Sequence, residues 1–224
     1  GVDYQRSRQV VVFYNGKYYG IHDMRERFNK NFVETNYGYD ASSVTFLKHL
    51  GIKVEASNGT PDEYLAMLEY AAAHDFATDN DAYTYMTQLM DMGNFANYML
   101  AEMYVHNGDW PNNNVRAWKS PEQPWKFMVY DLDHGFDWMW GVNGGEFSQS
   151  TDIFPWIKKG GGNKPCKDEG CFANLYIQLI KNPEFQRVFL NRSAMMLQNN
   201  LNGANVTRVV DAMTATIDTA EINR

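Results

Sequence analysis

Two runs rich in β-branched and aromatic residues, 9–14 and 17–24, flank Asn15-Gly16. Asn-Gly between such runs marks a hairpin, because a type I′ turn needs positive φ at both central positions. Residues 25–36 then read as a helix with Phe28, Phe32 and Val33 on one face, and residues 37–59 are mixed, with a short strand at 44–47. Thr60-Pro-Asp-Glu63 is a capping box with proline at the first helical position, so a helix follows to about Phe76. Asp79 caps a second helix to about Met90, and Gly93-Asn94 breaks and recaps the chain. Residues 95–106 are apolar nearly all round, which predicts a buried helix that delivers the chain to Asp109. Residues 115–119 and 125–130 read as strands joined by Ser-Pro-Glu-Gln-Pro. Residues 141–170, rich in Gly, Ser, Asn and Lys, read as a long loop. Helices are expected at 172–181, 183–200 and 206–222, with Asn182-Pro183 separating the first two and Asn202-Gly203 ending the second.

The pattern predicts an α+β fold without internal repeats. A hairpin and helix in residues 1–50 should pack on a larger helical lobe, 51–224, with the 115–130 hairpin at the cleft; the whole reads as one domain. The 224 residues, 44% apolar, suffice for a real core. A formal charge of −7 argues against electrostatic binding of nucleic acid or an anionic membrane as the main task. No apolar run approaches the roughly 18 residues of a membrane span. The chain opens on Gly-Val-Asp-Tyr and is expected to be a piece of a longer protein. The two cysteines, Cys166 and Cys171, are five residues apart among loop residues. A disulfide between them is favoured over two free thiols, and it would indicate an oxidising compartment. Nothing nearby completes a four-ligand zinc site.

The chemistry concentrates in Asn107-Gly-Asp109-Trp-Pro-Asn-Asn-Asn114 and Tyr130-Asp131-Leu-Asp133-His-Gly135. An aspartate stands five residues before an asparagine, and two further aspartates follow about twenty residues on. A protein kinase sets out its catalytic base and two metal ligands in this order. Asp109 would orient or accept the hydroxyl proton, Asn114 would offer an amide oxygen to a metal, and the hairpin would return Asp131 to face Asp109. Asp131 and Asp133 share a face if the strand continues and diverge if it turns. Gly135 permits an unusual backbone conformation. Taken singly, each piece also reads as a self-capping polar turn or a solvated strand end; together, with the hairpin between them, they favour chemistry. Glu102, on the apolar helix, is either a buried acid orienting the loop after it or the exposed edge of that helix. His22, His106 and His134 read as structural. Trp138 and Trp140 read as core aromatics or a substrate platform.

With these residues in view, the chain resembles the CotH kinase family, the spore-coat protein H-like proteins. The likeness rests on Tyr14-Asn-Gly-Lys-Tyr-Tyr-Gly20, Arg25-Glu26-Arg27, Asn107-Gly-Asp109 with Asn114, and Tyr130-Asp131-Leu-Asp133-His-Gly135-Phe136, spanning roughly residues 9–140. It implies an atypical, secretory-type protein kinase fold that uses ATP and a divalent metal (Mg²⁺, Mn²⁺ or Ca²⁺) to phosphorylate secreted, surface or coat proteins. It implies Asp109 as catalytic base, Asn114 as a second metal ligand, Asp131 as the main metal ligand with Asp133 as its rival, and Glu26 as the acid that pairs with the ATP-binding lysine. In that family the lysine lies upstream of the hairpin, before residue 1 here; Lys17 and Lys30 sit in no such motif. Gly16 and Gly20 form no phosphate-cradling G-x-G-x-x-G. The isolated 224-residue segment is therefore expected to bind ATP poorly. Two rival readings are a non-catalytic surface or coat scaffold that binds protein or carbohydrate, and a D-x-D glycosyltransferase. The second is disfavoured because it calls for αβα alternation with a parallel sheet.

Overall fold

The computed structural model describes residues 1–111, 113–136, 152–161 and 170–217. Strands β1 (Ser7–Tyr14) and β2 (Lys17–Arg25) form an antiparallel ribbon. Its two-residue turn has φ of 50° at Asn15 and 77° at Gly16, as a type I′ turn requires. Helix α1 (Lys30–Tyr37) starts at Lys30 rather than at residue 25. The reason is local: β2 continues to Arg25, and Asn29 takes an extended φ of −164° so that its side chain accepts from the N–H groups of Asn31 and Phe32. Phe28 packs edge-on against Phe32 across that cap, with ring centroids 4.9 Å apart.

A four-stranded antiparallel sheet, ordered β4-β3-β5-β6, forms the middle of the molecule. Its strands are β3 (Thr45–Leu50), β4 (Lys53–Asn58), β5 (Val115–Ser120) and β6 (Gln123–Met128). The 44–47 strand is thus longer than expected, and β4 is an addition. As an edge strand with only Val54 and Ala56 apolar, β4 carries too weak an alternation to be read alone. The N-terminal segment continues the other edge: Asp3 bridges to Met128, and the Val129 N–H donates to the Asp3 carbonyl at 2.8 Å. The Asp3 carboxylate accepts from Trp118 Nε1 at 3.1 Å and from the Tyr37 hydroxyl, which locks α1 over this face.

The helices are α2 (Asp62–Ala73), α3 (Asn80–Leu89), α4 (Met92–Val105), α5 (Ile153–Lys158), α6 (Phe172–Leu179), α7 (Pro183–Asn199) and α8 (Gly203–Thr214). The molecule is α+β, as expected. The capping box at Thr60 does not form: the N-cap position falls on Pro61 without a side-chain bond, and Glu63 pairs instead with Lys119 on β5. Asp79 caps α3 as expected, accepting from Ala82 N–H at 2.8 Å. The break before α4 lies earlier than Gly93-Asn94. Met90 is extended and bridges to Trp125, and Asp91 caps α4 by accepting from the Asn94 N–H at 2.8 Å. Asn202 caps α8 rather than ending α7. Helix α5 occupies part of the segment expected to be a loop; the rest of that segment lies largely outside the described residues.

Alternation along the strands divides the core. Phe46, Trp118 and Met128 face α1 with Phe32, Val33 and Val44. Leu47, Ala117 and Phe127 face the larger cluster built with α2, α3, α4, α6 and α7. Phe172 stands at its centre, with its ring 5.5–6.3 Å from those of Phe127, Tyr98, Phe95 and Trp110. Each such side chain contributes roughly 1.5–3 kcal/mol on burial. The buried Asn94 side chain fastens α4 to β6: its Oδ1 accepts the Phe127 N–H at 2.6 Å, and its Nδ2 donates to the Phe127 carbonyl at 3.1 Å. Among the described residues, no helix is long and apolar enough to cross a membrane.

Two predictions follow from this core. Asn94→Ala strands both backbone groups of Phe127 and should lower stability by about 2–4 kcal/mol in urea denaturation. His49 is buried, with Nδ1 3.2 Å from the Tyr64 hydroxyl. Burial depresses its pKa from 6.5 to about 4, partly offset by backbone contacts at Gly51 and Gly170. The unfolded chain therefore takes up a proton near pH 6.5 that the folded chain refuses until about pH 4. Stability should fall across that window as pH drops, by about 2–3 kcal/mol. Denaturation curves at stepped pH should show the loss in wild type and a smaller one in His49→Gln.

Candidate active site

Helix α4 ends because His106 enters the left-handed region at φ 58°. Its N–H donates to Met103 O at 3.1 Å, and the Asn107 N–H donates to Glu102 O at 3.2 Å. The chain then turns inward. Asn107 is fully buried, and its Nδ2 donates to Glu102 Oε2 at 2.9 Å and to the Asp131 carbonyl at 3.3 Å. Its Oδ1 accepts the Asp109 N–H at 3.1 Å. Trp110, also buried, anchors the loop by donating from Nε1 to the Tyr98 hydroxyl at 2.9 Å, while its carbonyl accepts from Trp156 Nε1 of α5 at 2.6 Å.

Asp109 is half-buried, and two amides hold it. Its Oδ2 accepts from Asn113 Nδ2 at 2.8 Å and from Asn114 Nδ2 at 3.0 Å. Asn114 adopts φ 62° and is buried just before β5 begins. Because its nitrogen is committed to Asp109, its amide oxygen is the atom available to another ligand.

The second loop leaves β6 at Met128. Arg116 of β5 lies over the Tyr130 ring at 4.1 Å, and Phe28 packs on the same ring at 6.1 Å. Asp131 takes φ 61°, so the strand has ended. The turn nevertheless keeps the Asp131 and Asp133 side chains within hydrogen-bonding reach instead of separating them. Gly135 serves close approach rather than an unusual φ: a Cβ there would lie 2.9 Å from Val105 O and 3.1 Å from Leu132 O. That approach permits two bonds between the loops, Phe136 N–H to Val105 O at 2.7 Å and Gly108 N–H to His134 O at 3.0 Å.

Partial withdrawal from water raises the Asp131 pKa, and the neighbouring Asp133 and then Asp109 carboxylates raise it further, while His134 acts in the opposite sense. Three acids thus act on one small region, a charge distribution that a divalent cation would relieve. Among the described residues, no three His, Cys, Asp or Glu side chains are gathered closely enough to hold a metal by themselves. The fit is to a cation held by the Asp131–Asp133 pair together with amide, phosphate or water oxygens, which is a common arrangement for Mg²⁺. Glu102 is buried on α4, not at its exposed edge, and burial lifts its pKa to about 8 even though the Asn107 amide acts in the opposite direction.

The structure therefore brings Asp109, Asn114, Asp131 and Asp133 to one place. Glu26 lies elsewhere, beyond the end of β2, where its Oε2 accepts the Arg6 backbone N–H at 3.0 Å and sits 3.6 Å from Arg6 Nε. No lysine among the described residues forms an ion pair with it. Asn107 and Asn113 received no role from the sequence. The signal for Asn107 was its place immediately after a buried helix that carries one acid; Asn113 was masked by its neighbour Asn114. His22 stacks on Tyr19 in the ribbon, away from these acids. Trp138 and Trp140 lie outside the described residues. Cys171 is disulfide-bonded at the start of α6, and Cys166, its expected partner, is also outside them.

A search of curated proteins found no match to this chain. The family model described as CotH kinase protein matches residues 1–224. The chain, with its two acid-bearing loops closed on each other at the end of α4, belongs to the CotH kinase family.

Proposed function

We propose that this chain is the phosphotransferase domain of a protein kinase that moves the γ-phosphate of ATP to Ser or Thr of secreted or surface proteins. The observation that carries the reading is Asp109, fixed by two amides on one carboxylate oxygen, in the electrostatic reach of the Asp131–Asp133 pair. Membership of the CotH kinase family supports the reaction class.

In this reading Asp109 Oδ1, the oxygen not engaged by Asn113 and Asn114, accepts the hydroxyl proton. The substrate oxygen bonds to the γ-phosphorus as the bond to the departing ADP breaks, and the proton passes to Asp109. Asn113 and Asn114 keep the carboxylate from rotating away, so the base meets the hydroxyl in one orientation. Asp131 and Asp133, with the amide oxygen of Asn114, would hold Mg²⁺ or Mn²⁺; a bound cation supplies positive charge to the phosphate oxygens. The resemblance gives Glu26 a place on the nucleotide side as the partner of a cationic group; here the cationic group beside it is Arg6. The closeness of Asp133 to Asp131 supports giving both acids a place in the ligand set.

The test is γ-phosphate transfer by the full-length protein with Mg²⁺ or Mn²⁺. Asp109→Ala and Asp131→Ala should each reduce transfer by at least about 100-fold, with thermal stability near wild type. Absence of transfer in wild type, together with no nucleotide-dependent thermal shift, would favour a scaffold role instead.

A further inference from the structure

Among the described residues no covalent cross-link pins the base loop against the acid-pair loop, yet their spacing must be held to a fraction of an ångström if they share one reaction. The backbone bonds from Phe136 to Val105 and from Gly108 to His134 align the loops, but neither involves residue 109 or 131. Asn107 reaches both. One amide group accepts from the Asp109 N–H at 3.1 Å and donates to the Asp131 carbonyl at 3.3 Å. A planar amide with its oxygen toward one loop and its nitrogen toward the other could not bridge them if flipped, since a flip sets oxygen against carbonyl and N–H against N–H. The two backbone groups therefore favour this orientation, and Glu102 reinforces it. Its Oε2 accepts from Asn107 Nδ2 at 2.9 Å, which identifies the nitrogen side.

We infer that Asn107 is a positioning residue for phosphoryl transfer, with its amide orientation reinforced by Glu102 so that it fixes the Asp109 loop against the Asp131 loop; the inference rests on the proposed kinase reading. Glu102 lies one helical turn and a cap upstream, is fully buried, and has no hydrogen-bond partner for Oε1 among the described residues. A buried acid with one oxygen unsatisfied is costly as mere packing, where an apolar side chain would serve better. Among the described residues, its one side-chain hydrogen bond is to Asn107. Burial raises the Glu102 pKa to about 8, which favours the uncharged form.

The bridge predicts which variants fail. Asn107→Asp keeps the shape but turns an acceptor toward Glu102 and the Asp131 carbonyl. Adding Glu102→Gln restores a donor–acceptor pair at the Glu102 contact alone and leaves the Asp131 carbonyl without a donor. In the full-length protein, Asn107→Ala should lower kcat roughly 100-fold with the KM for ATP within about twofold of wild type. Asn107→Asp should do the same, and the Asn107→Asp/Glu102→Gln pair should not recover, because neither supplies a donor to the Asp131 carbonyl. If Asn107→Ala does not fold, Asn107→Ser takes its place. Hydrogen exchange of the peptide carrying Asp109 gives a readout independent of activity: protection should be present in wild type and lost in Asn107→Ala. Wild-type kcat in Asn107→Ala, or recovery to wild type in the pair, would overturn the inference. If wild type transfers no phosphate, the kinase reading fails. The exchange data then decide the positioning role alone: loss of protection in Asn107→Ala supports it, and unchanged protection overturns it.

Discussion

Two backbone hydrogen bonds, Phe136 N–H to Val105 O and Gly108 N–H to His134 O, close the loop after β6 onto the end of α4. They form only because residue 135 has no side chain; a Cβ there would press on the Val105 carbonyl. Every polar contact of the candidate site lies within this closure. Asp109 is reached from α4, and Asp131 from β6, so the relative position of a helix and a strand becomes the relative position of two carboxylates. The fold holds that relation upstream as well, through the Asn94 side chain, which fixes α4 to the β6 backbone at Phe127.

The aromatic cluster around Phe172 makes the arrangement stiff. Trp110, on the base loop itself, belongs to that cluster and to the Tyr98 hydroxyl on α4. The loop that carries Asp109 is therefore an extension of the core, not a solvated excursion from it. The acid-pair loop is more exposed, with Asp131 held by its carbonyl and by its neighbour Tyr130, whose ring meets Arg116 and Phe28. Under the proposed reading, a firmly packed base opposite a less buried acid pair leaves the site open to a nucleotide from solvent.

Much of this was legible in the sequence where one stretch of chain decides its own conformation. Asn15-Gly16 makes its turn because both residues tolerate positive φ. Asp79 caps the helix that follows it, and Asn182-Pro183 separates two helices. The all-round apolar α4 had to be buried, and that placed Asp109 at the end of a fixed element. Legibility failed where long-range partners decide. Thr60 had the spacing of a capping box, but Lys119, fifty-nine residues on, claims Glu63. Strand β4 exists because β3 offers it an edge, not because its own pattern demands it. In the site, the residue types and their order were readable, but whether Asp131 and Asp133 converge depended on the turn geometry at φ 61°. The bridge through Asn107 was unreadable, since its two partner loops meet only in three dimensions. Glu102 had two readings in the sequence, and burial decides between them.

The central claim is that the Asp109 and Asp131 loops form a single metal-dependent nucleotide site. Calorimetric titration of the full-length protein with a non-hydrolysable ATP analogue, with and without Mg²⁺, tests it most directly. The account predicts binding that requires the cation in wild type and is abolished by Asp131→Asn. Binding of equal strength without the cation, or binding untouched by Asp131→Asn, would contradict it.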